Sequence, residues 1–257
     1  MTLLGLEFPP ITHLTRWPDI FFKDTPYAIN KTVLIYLVAV VITLAFFFAA
    51  ARRGALVPTG VQNLAESSVE FVRESIILQT IGPEGMGYLP FLTTMFFFIF
   101  IVNIFEIVPF IQFPGNARIA VPLLLALLVW FIFNIVGIKR QGFGGYMKSS
   151  LIPPGVPKAI LPLMVLIEFV STFFVRPFSL AIRLFANMLA GHLILVTFAI
   201  LSSSIFGAAA LLKVGATFPF ALLVALTAFE ILVAGLQAFI FAILTAVYIG
   251  LAMHPEH

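Results

Sequence analysis

The sequence predicts an all-α protein that crosses a membrane several times. Hydrophobic residues make up 61% of its 257 positions, charged residues make up 10%, and the mean hydropathy is +1.14. Several apolar runs reach the roughly 20 residues that a helix needs to span the hydrocarbon of a bilayer. Because these runs are continuous rather than alternating, they indicate membrane helices and not barrel strands. We expect a single membrane domain, residues 1–257.

The composition also excludes several kinds of site. The chain has no cysteine, so it cannot form disulfides, thiolate metal ligands or a cysteine nucleophile. Its net charge of +3 is small and lies mostly in loops, where it carries information on topology. Nothing in the sequence resembles a phosphate-binding loop. We expect no metal, no cofactor and no nucleic-acid partner.

The N-terminal part combines an external segment, one span and one amphipathic helix. Residues 1–29 lack a positive region followed by an apolar core, so they do not form a conventional signal peptide. The first span covers residues 30–51. Over residues 58–80, apolar residues recur at helical spacing among charged ones, which predicts an amphipathic helix. This helix would lie at the membrane surface or pack on another subunit.

A helical hairpin is predicted over residues 88–138. Its two spans run from Tyr88 to Ile111 and from Ala117 to Ile138, with a short turn at residues 112–116 between them. Residues 142–157 are rich in glycine and proline, which predicts a loop with at most a short helix.

Two long apolar segments follow within residues 157–253. The first runs from Pro157 to Leu201 and the second from Thr217 to Met253. As a helix, the first would be about 67 Å long, whereas a bilayer core is roughly 30 Å thick. Each segment is therefore either two spans or one strongly tilted helix, and we favour two long tilted helices. A break between them is expected over residues 202–207.

Positive residues predict the orientation of these spans. Arg52 and Arg53 follow the first span, and Lys139 and Arg140 follow the third. Loops that carry an excess of lysine and arginine tend to stay in the cytoplasm. The N-terminus should then lie outside, and the C-terminus should be cytoplasmic.

One arginine lies within an apolar helical stretch, where a charge is costly. Arg183 is followed by mostly apolar sequence to about Leu201. A charged side chain at mid-bilayer costs about 2.5–3.5 kcal/mol on insertion scales, so it needs a partner and is a candidate functional residue. Ser179, Arg183 and Asn187 follow one another at intervals of four, so they share one helix face.

Helical geometry separates the other polar residues by depth. His192 lies about 13 Å beyond Arg183 toward the outside, and Glu168 lies about 22 Å before it toward the cytoplasm. In the last helix, Glu230 and Gln237 are seven residues apart and share a face. The candidate residues thus form an outer pair, His192 and Glu230, a middle pair, Arg183 and Gln237, and an inner pair, Glu168 and Ser179.

This arrangement favours proton transfer. Histidine exchanges protons near neutral pH, whereas arginine is not deprotonated in proteins. Arg183 therefore cannot relay a proton, but it can attract a carboxylate and block a direct leak. Some of the other residues have simpler interpretations, because small polar side chains such as Ser179 and Asn187 often only join helices. Glu106 lies close to Pro109 and to a membrane interface, so we expect a snorkelling or solvated carboxylate there.

Two motifs resemble the a subunit of F-type ATP synthases. The first is Ser179-Leu-Ala-Ile-Arg183-Leu-Phe-Ala-Asn187-Met-Leu-Ala-Gly191-His192, and the second is Glu230-x6-Gln237 followed by Thr245 and Tyr248. The family pattern is Ser-Leu-x-x-Arg-Leu-x-x-Asn, then Ala-Gly and an acidic residue or histidine. The resemblance covers most of the chain, because the order of the helices also matches.

The resemblance implies a stator proton-channel subunit of the Fo sector, which is not an enzyme on its own. Two half-channels would deliver protons to and from a rotating ring of c subunits. Arg183 would face the ring carboxylate with Gln237 near it, His192 and Glu230 would serve the outer half-channel, and the remaining proton-path residues would be Asn187, Glu168 and Ser179. The partners would be the c ring, the b subunits of the peripheral stalk, the rest of the F1Fo complex and membrane lipid. The location would be a bacterial plasma membrane or, alternatively, a mitochondrial inner membrane.

Two features distinguish this chain within the family pattern. Some members carry an acidic residue at the position of His192 and histidine at that of Glu230, and the reversed order found here is also used. Members often have a glutamate fourteen residues before the arginine, but Glu168 lies fifteen before Arg183. One residue rotates a helical side chain by about 100°. Pro177 or a local bulge would have to absorb this shift.

A self-contained proton-coupled transporter is the alternative function. Such a protein should have pseudo-symmetric halves with helices interrupted at matching positions, and this sequence shows neither clearly. A purely structural membrane anchor would not explain Arg183, His192 and Glu230 together.

Overall fold

The computed structural model describes residues 19–21, 28–108, 111–152, 156–157, 159–206 and 213–254. It confirms an all-α polytopic membrane fold. Five helices are long and apolar enough to cross a membrane, and they are Lys31–Arg52, Pro83–Ile104, Ala120–Leu151, Leu161–Phe206 and Thr217–Met253.

The first span is helix α1 (Lys31–Arg53). A small antiparallel ribbon of β1 (Asp19–Phe21) and β2 (Ile29–Asn30) precedes it, which the sequence did not predict. The helix begins where Asn30 Oδ1 accepts a hydrogen bond from the backbone N–H of Val33 at 3.0 Å. This is the usual way in which an asparagine satisfies a free N–H at a helix start.

The predicted amphipathic helix is confirmed, with a π-helical turn inside it. It consists of α2 (Val61–Val72), a π turn (Arg73–Ile77) and α3 (Leu78–Thr80). Ala65, Val72 and Ile76 lie on its buried side. The helix thus buries one apolar face, as its sequence pattern indicates.

The first helix of the hairpin is shorter than expected. After a 3₁₀ turn (Pro83–Tyr88), helix α4 runs over Leu89–Ile104 and does not reach Ile111. A proline at position 109 supplies no N–H and disfavours a helical conformation in the residue before it, which explains an earlier end. The predicted end of this span was therefore wrong by seven residues.

The second helix of the hairpin is longer than expected. A 3₁₀ turn (Gly115–Ala117) leads to helix α5 (Ala120–Leu151), which is interrupted at Gly142 by φ 73° and ψ 161°. The part after Gly142 is the short helix that the sequence left open. Its Tyr146 hydroxyl donates a hydrogen bond to Asn134 Oδ1 at 3.0 Å, which fixes this part against the preceding helix.

Each of the two long C-terminal segments is one continuous helical element. The first comprises α6 (Leu161–Val170), a π turn (Ser171–Val175) and α7 (Arg176–Phe206), and the second is α8 (Lys213–Met253). The first element is 46 residues long, so the alternative of two separate spans is wrong for it. It also continues through the expected break at residues 202–204. Gly207 lies outside the described residues.

Packing divides the chain into two compact units. The first contains residues 1–42, 98–118 and 185–237. Its core is formed by side chains from α1, from the end of α4 and from the turn after it, namely Ile35, Ala39, Val102, Phe105 and Phe113. This unit holds most of the polar residues of interest.

The second unit contains residues 43–97, 119–184 and 238–257. Aromatic rings join its helices, as in the contact of Phe133 with Tyr248 at 5.8 Å between ring centroids. At one end of the unit, Gln141 Nε2 donates a hydrogen bond to the Ala252 carbonyl at 2.8 Å. The end of α8 is thereby held against α5.

Candidate functional site

Three titratable side chains from separate parts of the sequence lie close together in the first unit. His192 Nδ1 on α7 is 3.4 Å from Glu106 Oε1, and these side chains are 9% and 1% exposed. The carboxylate of Glu230 on α8 lies against Gly191, the residue before His192. The group of Glu106, His192 and Glu230 is called the outer cluster below. It can hold and exchange protons, because each member has a protonated and a deprotonated form.

Glu230 reaches the outer cluster across a glycine. A Cβ atom added at Gly191 would lie 2.7 Å from the carboxyl carbon of Glu230, which is closer than real Cβ contacts. The missing side chain therefore allows the α8 carboxylate to lie against the α7 backbone. Gly191 directly precedes His192, so the Glu230 carboxylate that lies against Gly191 is also close to the outer cluster.

Glu106 is buried, so the expectation of a snorkelling or solvated carboxylate was wrong. The residue lies in the turn that follows α4, where its backbone N–H donates to the Asn103 carbonyl at 3.2 Å. A buried carboxylate needs an ion-pair or hydrogen-bond partner. Among the described residues, the only group at ion-pair distance from Glu106 is His192, which pairs with it when the ring is protonated, and Glu106 Oε1 has no hydrogen-bond partner there. Sequence reasoning missed this residue, although Asn103 and Glu106 lie three apart in apolar sequence, a spacing that marks one helix face.

Arg183 has the opposite surroundings. Its side chain is exposed, and it forms no ion pair or hydrogen bond with any residue in the described parts of the chain. On the same helix, Leu184 and Met188 are buried, and they lie about 100° and about 140° around the axis from Arg183. Helix α7 thus uses one side for packing and presents Arg183 away from it.

The other predicted residues have different degrees of burial. Ser179 is exposed, whereas Asn187 and Glu168 are half-buried. Gln237 is buried, and its Nε2 atom has no hydrogen-bond partner within the described ranges. In those ranges, no three histidine or acidic side chains are grouped so that they could hold a metal ion.

The sequence matches the family model described as ATP synthase A chain over residues 32–250. It is 45% identical over 244 residues to ATP synthase subunit a of Rhodococcus erythropolis, an alignment that covers 93% of this chain and 88% of that protein. The subunit a of Frankia alni is 41% identical over 264 residues, with coverage of 98% and 88%. That of Bradyrhizobium diazoefficiens is 44% identical over 231 residues, with coverage of 90% for each protein.

The chain belongs to the ATP synthase subunit a family. Its predicted membership is therefore confirmed. This family is the proton-translocating subunit of the Fo membrane sector. The bacterial relatives and the five apolar spans together identify a bacterial membrane protein.

The family spacing between glutamate and arginine can be compared with the helix that carries both residues. Between Glu168 and Arg183 lies the π turn Ser171–Val175, which is flanked by regular α-helix on both sides. A π turn in an α-helix accommodates one additional residue, and such turns are frequent at functional sites. The turn is thus the kind of local bulge that the spacing of fifteen residues led us to expect.

Proposed function

We propose that this chain is the stator proton channel of a rotary ATP synthase and lies beside a ring of c subunits. The observation that carries the proposal is the exposed side chain of Arg183, which has no partner among the described residues. A charge within apolar membrane sequence needs a counter-charge. A carboxylate of the ring, brought past by rotation, would supply it from another chain. The nucleotide chemistry would belong to other subunits, so this chain is not an enzyme on its own.

The outer cluster would form the proton-uptake half-channel. Glu106 and His192 are at ion-pair distance, and Glu230 lies against the residue before His192. Protons arriving from outside would move through these side chains to the ring carboxylate. The proposal adds Glu106 to the residues that the sequence motifs indicated.

Arg183 would separate this path from the exit path. It would hold the deprotonated ring carboxylate and, because it keeps its own proton, prevent a direct leak. Gln237 would orient Arg183, and Asn187 would lie beside it on the same helix face. Glu168 and Ser179 would line the inner half-channel, in the register that the π turn provides.

The same proposal includes the arrangement in the membrane. The chain would form a single domain in the bacterial plasma membrane, with the N-terminus outside and the C-terminus in the cytoplasm. The two long helices would be strongly tilted, because each is longer than a bilayer core is thick. The b subunits of the peripheral stalk would hold the chain against the torque of the ring.

Replacement of Arg183 tests this function. In membrane vesicles that contain the complete ATP synthase, Arg183→Ala should lower proton-driven ATP synthesis by at least about 100-fold, the usual loss when a preorganised charge is removed from its site. Arg140→Ala is the matched control. Its 3.2 Å pair with Glu84 is half-exposed, and such surface pairs contribute little. ATP synthesis at the normal rate in Arg183→Ala would disprove the proposal.

The transporter alternative makes a different prediction for the chain without its partners. A self-contained transporter would carry a substrate together with protons in vesicles that contain no c subunits. A stator channel would not, because its proton path continues through the ring. Substrate-coupled proton uptake in such vesicles would favour the transporter.

A further inference from the structure

A hydrogen-bond network connects helix α1 to the turn that carries Glu106. The Tyr36 hydroxyl oxygen is 2.8 Å from the Gly115 carbonyl and 3.0 Å from Asn116 Oδ1, and these two acceptors share its proton. Asn116 Nδ2 then donates to Asn103 Oδ1 at 2.8 Å. All of these residues belong to the first unit.

The network is shielded from water at its centre. Asn103 and Asn116 are 4% and 1% exposed. Hydrogen bonds in such low-dielectric surroundings are stronger than in water, and an unpaired polar group there is costly. The amide pair is therefore a firm connection between the end of α4 and the turn before α5.

A glycine allows this connection. A Cβ atom added at Gly115 would lie 2.9 Å from Val102 Cγ1, which is too close for a real side chain. The 3₁₀ turn Gly115–Ala117 can therefore lie directly on α4 beside Val102, the residue before Asn103. This close approach puts the side chain of Asn116 within reach of Asn103.

Asn103 transmits the connection to Glu106. Its side chain accepts the hydrogen bond from Asn116, and its backbone carbonyl accepts the N–H of Glu106 at 3.2 Å. The turn after α4 has left the regular helical hydrogen bonding, so its geometry depends on such contacts. Glu106 is thus held by groups that lie outside its own helix.

We infer that Tyr36 and Asn116 are positioning residues for proton transfer between Glu106 and His192. The inference rests on the proposed function, since it assumes that protons enter through the outer cluster. The two residues act through Asn103. They keep the turn after α4, which carries Glu106, in the geometry that holds Glu106 Oε1 3.4 Å from His192 Nδ1. Transfer between fixed groups is sensitive to displacements on the order of 1 Å, so a looser turn would slow proton uptake.

The first test removes only the Tyr36 hydroxyl. Tyr36→Phe should lower the rate of ATP synthesis per assembled complex about fivefold, the effect of one neutral hydrogen bond. The dependence of this rate on the pH outside the membrane should also change, because the geometry of a proton-accepting pair has changed. Tyr88→Phe is the matched control, since the half-buried Tyr88 hydroxyl has no hydrogen bond within the described residues, and its rate and pH profile should stay normal.

A double variant separates positioning from a general structural role. If Tyr36 acts through Glu106, Tyr36→Phe should add no further loss when Glu106→Gln is already present. If Tyr36 only stabilises the fold, the two losses should multiply. Asn116→Leu removes the amide donor without adding a titratable group, and it should reproduce the altered pH profile even if Tyr36→Phe assembles poorly.

The outcomes distinguish this inference from the proposed function. Normal ATP synthesis in Arg183→Ala would remove the function and the inference together. A loss in Arg183→Ala, combined with multiplying losses in Tyr36→Phe and Glu106→Gln, would overturn the inference alone. A normal rate and pH profile in both Tyr36→Phe and Asn116→Leu would overturn it as well.

Discussion

Arg183 and His192 are nine residues apart on one helix, yet their surroundings are opposite. His192 is buried beside Glu106, whereas Arg183 is exposed and has no ion-pair or hydrogen-bond partner in the described chain. Nine residues turn an α-helix by roughly 180°, so the two side chains leave the helix on opposite sides. Helix α7 therefore has one polar side that is covered by other parts of the chain, at His192, and another on which Arg183 has no partner among the described residues.

The difference suits a helix that contributes to the outer cluster on one side and contacts another subunit on the other side. The outer cluster is assembled from side chains of this chain alone. Leu184 and Met188 pack on a different side of the helix, whereas Arg183 is exposed and has no ion-pair or hydrogen-bond partner within the described residues. In our proposal, the side of α7 that carries His192 delivers the proton, and the side that carries Arg183 contacts the moving ring.

Removal of the His192 side chain should disable the outer cluster. His192→Ala should lower proton-driven ATP synthesis by about 100-fold, the lower end of what a positioned proton-transfer group supplies. The neighbouring Leu193→Ala is a suitable control, because it shortens a half-buried side chain of the same helix without removing a titratable group. Comparable rates for both variants, measured in vesicles with equal amounts of assembled complex, would mean that His192 is only a packing residue.

A substitution at Gly191 should also affect the outer cluster, but less than the loss of His192. In Gly191→Ala the added Cβ would force the flexible end of the Glu230 side chain away from α7. We expect a rate lowered about tenfold, because transfer between positioned groups is sensitive to displacements on the order of 1 Å. Gly144→Ala is the control, because a Cβ there meets no atom within 4 Å among the described residues. An unchanged rate in Gly191→Ala would show that the position of Glu230 does not limit proton uptake.

The apolar sequence predicted the spans but not all of their ends. Membrane helices depend mainly on length and composition, so the five spans follow from the apolar runs. The helix continues past the serines at 202–204 to Phe206, so only this part of the predicted break, which also included Gly207, is wrong. Ser203 Oγ donates to the Ile200 carbonyl at 3.0 Å, and a serine bonded in this way remains within a helix.

The site was predicted where the motif lies on one helix, and missed where it depends on distant segments. The shared face of Ser179, Arg183 and Asn187 follows from helical spacing alone. The burial of Glu106 does not, because it is produced by a helix far away in the sequence. The π turn after Glu168 is equally hidden, since its residues are ordinary apolar and hydroxyl side chains.

The proposal requires that the side of α7 that carries Arg183 contacts the c ring in the assembled complex, and cysteine cross-linking tests this directly. The natural chain has no cysteine, so a single introduced cysteine reports one position. Ala186 is exposed and lies three residues after Arg183 on the same side, whereas Leu184 is fully buried. In the assembled complex, with one cysteine beside the ring carboxylate of an otherwise cysteine-free c subunit, oxidation should cross-link Ala186→Cys to the c subunit and leave Leu184→Cys unlinked. No cross-link from Ala186→Cys, or equal cross-linking of both positions, would contradict the claim that the counter-charge of Arg183 arrives on another chain.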